Sequence, residues 1–295
     1  MSSINIQGIL QHRSKQLEAA LNLDINSARI EVQCLLQAVL KINRAYLFTH
    51  PEQLLSDAQQ ARFNALLERR LSGEPIAYLL GEREFYGLTF KVSPATLIPR
   101  PETELLVEQA LQHIPQQGIC RVLDLGTGSG AIALSIAHAR PHAEVVAVDI
   151  SPAALEVAHM NAQQLQLGNV RLLQSDWFTA LRGESFDMII SNPPYVAMGD
   201  AHLMTGDLRF EPRIALASAS NGLHDIQRIC VAADIHLNNT GWLLFEHGYD
   251  QAAQVYALLQ QSGFVEIFSA RDLAGIERVT GGSFRSQIAS HCQNS

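Results

Sequence analysis

Cysteine is scarce in this chain, with 4 among 295 residues. Cys34, Cys120, Cys230 and Cys292 lie too far apart to form a CxxC pair or a compact disulfide framework, so each reads as a small buried apolar residue in a reduced protein. Long apolar runs are missing too. No stretch approaches about 18 uncharged apolar residues, which excludes a membrane-spanning helix. The opening Met1-Ser2-Ser3-Ile4-Asn5-Ile6-Gln7 has no basic segment leading into an apolar run and a cleavage site, so no secretory signal is expected and the location expected is cytoplasmic. With 11 prolines and 19 glycines the composition is neither collagen-like nor that of an extended disordered chain. Positive charge is in deficit: 21 Lys and Arg face 29 Asp and Glu, for a net charge of −8. That balance disfavours a broad phosphate-neutralising surface, and no direct DNA binding is expected. The 11 histidines show no metal-ligand spacing, and no metal is expected.

What is present is apolar residue in quantity, 47%, on a chain long enough for two domains of about 150 residues each. Up to about residue 82 the pattern is helical. Ser56-Asp57 offers an N-cap, Phe63, Leu66, Leu67 and Leu71 recur on one helix face, and Gly73 supplies a stop. Asn26-Ser27 reads as the cap of a second helix carrying Ile30, Leu35, Leu36, Val39 and Leu40. No catalytic side chains gather there, so this module packs or docks a partner. At Leu88, Phe90 and Val92 the period drops to two, the pattern of a strand in a linker hairpin over 83–99. From residue 100 a helix is expected to start at Glu102. Short apolar runs then alternate with helical stretches: 121–125, 144–149, 170–174, 187–191, 241–246 and 264–270. Strands alternating with helices argue for an α/β fold with a parallel sheet covered on both faces.

The first of those strands ends at Asp124-Leu125 and runs into Gly126-Thr127-Gly128-Ser129-Gly130, then into an apolar helix. Glycines let the backbone turn sharply and approach a ligand where a Cβ would collide. Asp149 ends the next strand, 25 residues after Asp124, where nucleoside-binding α/β folds place the carboxylate that accepts ribose hydroxyls. A nicotinamide dinucleotide and S-adenosylmethionine (SAM) both fit that far. Asp124 before the glycines and Asp176 after the third strand favour a ligand with a sulfonium and an ammonium over one with a pyrophosphate, and Trp177 is a candidate adenine wall.

After the fourth strand comes Asn192-Pro193-Pro194-Tyr195. Two prolines fix φ and remove two N–H donors, leaving an acceptor-rich turn that suits a donor-rich group such as a planar NH2. Asn192 Oδ1 and the Pro193 carbonyl are the expected acceptors, and Tyr195 the expected wall of the planar group. The residues by themselves reach a SAM-dependent methyltransferase acting on such a group. An amino-methyltransferase of nucleic acid uses the same chemistry and stays open at this point. A nicotinamide oxidoreductase leaves Asn192–Tyr195 unexplained, and a binding module that retained the ligand predicts no turnover.

The chain resembles the HemK/PrmC family, the peptide-chain release factor N5-glutamine methyltransferases. The likeness rests on Leu97-Ile98-Pro99-Arg100-Pro101-Glu102-Thr103-Glu104, the turn 124–130, the tetrapeptide 192–195, Glu211-Pro212-Arg213-Ile214-Ala215-Leu216 and Arg271-Asp272-Leu273-Ala274-Gly275-Ile276-Glu277-Arg278, in the family's order. It implies a Rossmann-like methyltransferase domain at 100–295 with a mostly parallel seven-stranded sheet, after a helical domain at 1–82 and a β-hairpin linker at 83–99. The implied activity is transfer of methyl from SAM, leaving S-adenosylhomocysteine, to the glutamine of the Gly-Gly-Gln loop of bacterial class 1 release factors. By position, Gly126, Thr127, Gly128, Ser129, Gly130, Asp149, Asp176, Trp177 and Asn192 would hold SAM, and Asn192, Pro193, Pro194 and Tyr195 would receive the glutamine. Arg100 and Glu102 are either site residues or ordinary chemistry of a helix start.

Overall fold

The computed structural model describes residues 5–285, so Cys292 and the tail from Ser290 lie outside the described residues. Contacts divide the chain into two units. One runs to Glu82 and includes Met204–Phe210; the other holds Arg83–Leu203 and the chain from Glu211.

The first unit is helical: α1 (Ile6–Leu21), α2 (Ile25–Leu40), α3 (Arg44–Thr49), α4 (Asp57–Leu71) and α5 (Ile76–Leu80). Ser56 caps α4 as expected and closes a capping box with Gln59. The α2 cap is Asp24 instead of Asn26-Ser27, because its carboxylate reaches back to both the Asn26 and Ser27 N–H groups at 2.9 and 3.0 Å. Ala28, Val32, Leu35, Leu36 and Val39 form the buried face of α2. Ile30 lies two residues from both Ala28 and Val32, so it falls on the opposite side and is 50% exposed, against expectation. Buried Arg70 pairs with Glu31 at 2.7 Å and Asp207 at 3.1 Å, which fastens residues 204–210 into this unit.

In the second unit β1 (Glu82–Phe85) and β2 (Leu88–Lys91) form the expected hairpin. Its two-residue turn, Tyr86-Gly87, has φ of 51° and 73°, the doubly left-handed turn whose twist matches paired strands. Where a helix was expected from Glu102, a tight turn at Pro101–Thr103 precedes α6 (Glu104–His113). There the Thr103 N–H reaches the Arg100 carbonyl at 3.1 Å. Then follow β3 (Arg121–Leu125), α7 (Ala131–Ala139), β4 (Glu144–Asp149), α8 (Pro152–Gln164), β5 (Val170–Gln174), β6 (Phe186–Ser191), the short strands β7 (Val196–Ala197) and β8 (Ala217–Ser218), α9 (Ala219–Gly222), α10 (His224–Ala233), β9 (Leu237–Glu246), α11 (Ala252–Gln261), β10 (Phe264–Arg271) and β11 (Glu277–Phe284).

Seven strands form one sheet in the order β10-β11-β9-β6-β3-β4-β5, parallel except where β11 pairs with β9 and β10. Alternation along the strands feeds two cores. Val122, Val145, Ala147, Met188 and Ile190 meet α6 and α7 on one face. Leu123, Val146, Val148, Ile189 and Phe245 meet α10 and α11 on the other. The seventh strand, β11, lies outside the six apolar runs because Gly281-Gly282 dilutes its apolar character. Those glycines are required by packing: a Cβ on Gly281 would stand 2.8 Å from Leu244 Cγ.

Candidate active site

Strand order reverses at β3, whose neighbours are β4 on one side and β6 on the other, and open parallel sheets bind ligands beyond the carboxyl ends of the strands at such a point. Register brings the motifs together. Leu125 pairs with Ser191 and with Val148, so the glycine turn leaves β3 beside the start of Asn192–Tyr195 and beside Asp149. The Ser191 hydroxyl locks the level with a 2.7 Å bond to the Leu125 carbonyl. Ser191 also pairs with Phe245, which sets Glu246 alongside Asn192.

A cavity of about 300 Å³ opens there, lined by Gly126, Thr127, Gly128, Ser129, Asp149, Asp176, Trp177, Asn192 and Pro194 among the residues expected. Gly130 and Tyr195 stand behind the wall, and Pro193 lies between the lining residues Asn192 and Pro194. Gly130, with φ of 85°, closes the turn onto α7, where a Cβ would meet Leu134 at 2.9 Å. The Tyr195 hydroxyl points to Glu246 Oε1 at 3.3 Å, and its carbonyl takes the Gln251 amide at 3.1 Å. Tyr195 therefore anchors the turn instead of forming the expected wall.

The turn spends its own N–H groups. Gly126 and Thr127 both donate to the Val148 carbonyl at 2.9 Å, Gly128 donates to Asp149 Oδ2 at 2.8 Å, and Gly130 donates to the Thr127 carbonyl at 2.8 Å. Asp124 is fully buried below it and accepts the Thr127 hydroxyl at 2.7 Å. Burial pushes the Asp124 carboxyl up to about 7, with the Thr127 hydroxyl and the Ala133 N–H at the start of α7 pulling the other way. Asp124 is thus a buttress for the turn and touches no ligand space. A pyrophosphate would find the N–H groups of Gly126, Thr127, Gly128 and Gly130 already committed.

Asp149 is also raised by burial, opposed by the N–H groups of Ser151, Gly128 and Ile150. Oδ2 takes the Gly128 N–H at 2.8 Å and Oδ1 the Ser151 N–H at 2.9 Å, and the carboxylate keeps acceptor capacity for a hydroxyl donor. Trp177, held at φ of 48°, lays its ring over Gly126, whose added Cβ would lie 3.5 Å from Trp177 Cζ3. Asp176 at the rim pairs with Arg228 at 3.3 Å.

Sequence reasoning missed Thr103, which lines the cavity and accepts Asn192 Nδ2 at 3.3 Å, and Glu246 beside it. Thr103 stands inside a motif already quoted, which was the available signal. Glu246 follows the apolar end of the fifth run, and only strand register reveals it. Of the two residues left open, Arg100 lines the cavity and ion-pairs with buried Glu211, which also accepts the Ile98 N–H at 3.2 Å. Glu102 is exposed in the first turn. His247 is fully buried between Thr280 and the Gly248 carbonyl, a structural position.

Residues 9–81 match the PrmC N-terminal domain and residues 102–211 the methyltransferase small domain. The chain is 51% identical over 261 residues to a release factor glutamine methyltransferase of Salmonella typhimurium, covering 88% of this chain and 94% of that one. It is 46% identical over 275 residues to the Escherichia coli protein of the same name, covering 93% and 97%. The chain belongs to the release factor glutamine methyltransferase family. As in other methyltransferases, the fold is Rossmann-like: a T. thermophilus 16S ribosomal RNA methyltransferase matches with a TM-score of 0.51 at 22% identity, over 69% of this chain and 50% of that one. Among the described residues of this family member, no helix is long and apolar enough to cross a membrane and no cluster of His, Cys, Asp or Glu is placed to hold a metal.

Proposed function

We propose that this protein transfers the methyl group of SAM to the side-chain amide nitrogen, N5, of the glutamine in the Gly-Gly-Gln loop of bacterial class 1 release factors, in the cytoplasm, and so modulates translation termination. The observation that carries the reading is the orientation of Asn192. Its Nδ2 is held by Thr103, which leaves Oδ1 as an acceptor beside the glycine turn of the neighbouring strand. The activity named for its relatives, release factor glutamine methylation, supports the substrate.

The cavity suits SAM. Asp149 retains lone pairs for ribose hydroxyls, Trp177 and Ile150 offer apolar walls for adenine, and the cavity carries the carboxylates of Asp176 and Asp225 for a cationic ligand. When bound, SAM supplies an electrophilic methyl on a sulfonium. The remaining work falls to the chain. A carboxamide nitrogen is a poor nucleophile because its lone pair is delocalised, a resonance measured by a rotation barrier of about 18–20 kcal/mol. Two hydrogen bonds of about 1 kcal/mol net each do not cancel it. Alignment supplies more, on the order of 7–11 kcal/mol for a well-held near-attack geometry. Asn192 Oδ1 and the Pro193 carbonyl receive the two N–H groups, aim the nitrogen and stabilise the positive charge that develops on it. Pro194 restricts the turn. In this reading residues 1–82 dock the release factor, 83–99 link, and 100–295 carry the chemistry.

The test is mass spectrometry of tryptic peptides of a release factor after incubation with enzyme and SAM. One added methyl on the Gly-Gly-Gln glutamine is expected. Methyl found only in ribosomal RNA or DNA offered alongside would overturn the reading. Asn192→Ala should cut kcat by about 10²–10³ while S-adenosylhomocysteine still binds.

A further inference from the structure

Between β7 and β8 the chain makes a long excursion of short, tight helical turns. It leaves just after the tetrapeptide and returns beside it: the Val196 N–H reaches the Leu216 carbonyl at 3.0 Å and the Met198 N–H the Ser218 carbonyl at 3.1 Å. Closing so long a loop costs entropy, and loops of this kind in compact domains are usually functional. Its return limb forms part of the site. Pro212, Ile214, Ala215 and Ala217 all line the cavity. Glu211, with its side chain buried, roots the limb by pairing with Arg100 and accepting the Ile98 N–H at 3.2 Å.

The crest of the excursion, Met204–Phe210, belongs to the helical unit. Two side chains fasten it there. Asp207 Oδ1 accepts Arg70 Nη1 at 3.1 Å, and Arg209 Nη2 donates to the Ser72 carbonyl at 3.1 Å. Arg70 is satisfied without Asp207. Its Nε and Nη2 donate to the two oxygens of Glu31 at 2.7 and 3.0 Å, which neutralises the charge. Nη1 carries two protons, and the Gly73 and Glu74 carbonyls at 3.2 and 3.1 Å already supply two acceptors for them. Asp207 is therefore a third acceptor on that nitrogen, surplus to the helices and useful to the loop. Gly73 makes the seat for the second fastener. A Cβ there would stand 1.6 Å from Arg209 Nη2, so the glycine that reads as a helix stop also leaves the space the guanidinium fills.

We propose that Asp207 and Arg209 are positioning residues for the cofactor cavity: by clasping the crest of the loop to the helical unit, they keep its return limb, residues 211–217, seated as a cavity wall. Neither side chain lines the cavity itself. Pinning the loop at its crest divides one long segment into two shorter ones, each with fewer conformations to lose when a ligand packs against the wall. A wall seated for only a fraction of the time weakens binding by that fraction. The inference rests on the reading of the cavity as the SAM site.

The test compares Asp207→Ala, Asp207→Asn and the double variant Asp207→Ala/Arg209→Ala, each as the full chain. S-adenosylhomocysteine affinity is measured by calorimetric titration, and amide hydrogen exchange is followed across 211–217 and across α2 and α4. In the double variant the Kd is expected to rise more than fivefold and exchange across 211–217 to quicken more than fivefold, while α2 and α4 stay within twofold of the parent. A smaller change in either quantity would overturn the proposal. Asp207→Asn still offers an oxygen to Arg70 and should bind within twofold of the parent; an asparagine variant as weak as Asp207→Ala would also overturn it. If α4 loosens in the double variant, Asp207→Ala decides alone, because Arg70 keeps its other partners there: a Kd raised more than threefold supports the clasp, and a smaller rise overturns it. Should the parent itself not bind S-adenosylhomocysteine, the SAM reading of the cavity fails; should the parent and the double variant bind it equally well, only the clasp fails.

Discussion

Gly222 shows how a single atom can hold the site in place. It sits at the end of α9 with φ of 82°, and a Cβ there would stand 1.9 Å from the Tyr195 carbonyl oxygen. That carbonyl is the one Gln251 grips while also donating to the Asn221 carbonyl at 3.0 Å. Gly222→Ala must therefore push the tetrapeptide off its seat and adopt a strained backbone at once, a strain of about 1–3 kcal/mol before any clash. We expect kcat to fall by about tenfold or more, since a misplacement near 1 Å can cost about 10²; steady-state assays on release factor check it. At this scale much of the candidate site was legible. Asn192, the glycines, Asp149 and Trp177 announce themselves because their chemistry is unusual for their position. Thr103 and Glu246 do not, because a Thr after a proline and a Glu after an apolar run look like ordinary helix and strand ends. Tyr195 was misread for a related reason: an aromatic beside a ligand motif suggests stacking, while its hydroxyl had a buried carboxylate to satisfy.

Among the elements, β11 is one where packing overrides strand propensity. It runs antiparallel between two strands, and Gly281 leaves room for Leu244 on β9. Gly281→Val would raise strand propensity yet overpack that contact, so we expect a net loss of about 1–3 kcal/mol, read as a lower denaturant midpoint with the slope unchanged. The same trade explains why the strand escapes a reading by apolar runs. The six others present Val, Ile and Leu to two cores at once and are found from composition alone. Helix ends were legible where one side chain does the capping, as at Ser56. They slipped at Asp24, which stands two residues before the polar pair that looked like the cap, and at Pro101–Thr103, where a tighter turn is inserted.

For the molecule as a whole, two carboxyls buried at full depth set the response to pH. Asp124 and Glu246 both have their values raised to about 7 by burial. A group raised in the folded state binds its proton there while the unfolded chain has lost it, so stability falls as pH rises from the unfolded value through the folded one. We expect the stability of the parent to drop between about pH 4 and pH 7, each group contributing about 3–4 kcal/mol. Glu246→Gln should gain on the parent over that window by about 3 kcal/mol. Denaturation of both proteins across the range checks it, and a constant difference would contradict it. What a linear reading cannot see at this scale is membership: residues 204–210 join the helical unit through Asp207 and Arg70, 137 positions apart. Chain order adds a constraint of timing. During synthesis β9 and β10 emerge from the ribosome before β11, and until it arrives each presents an open edge toward the gap between them. An enzyme proposed to act on the termination machinery thus completes its own sheet only once β11 has been made.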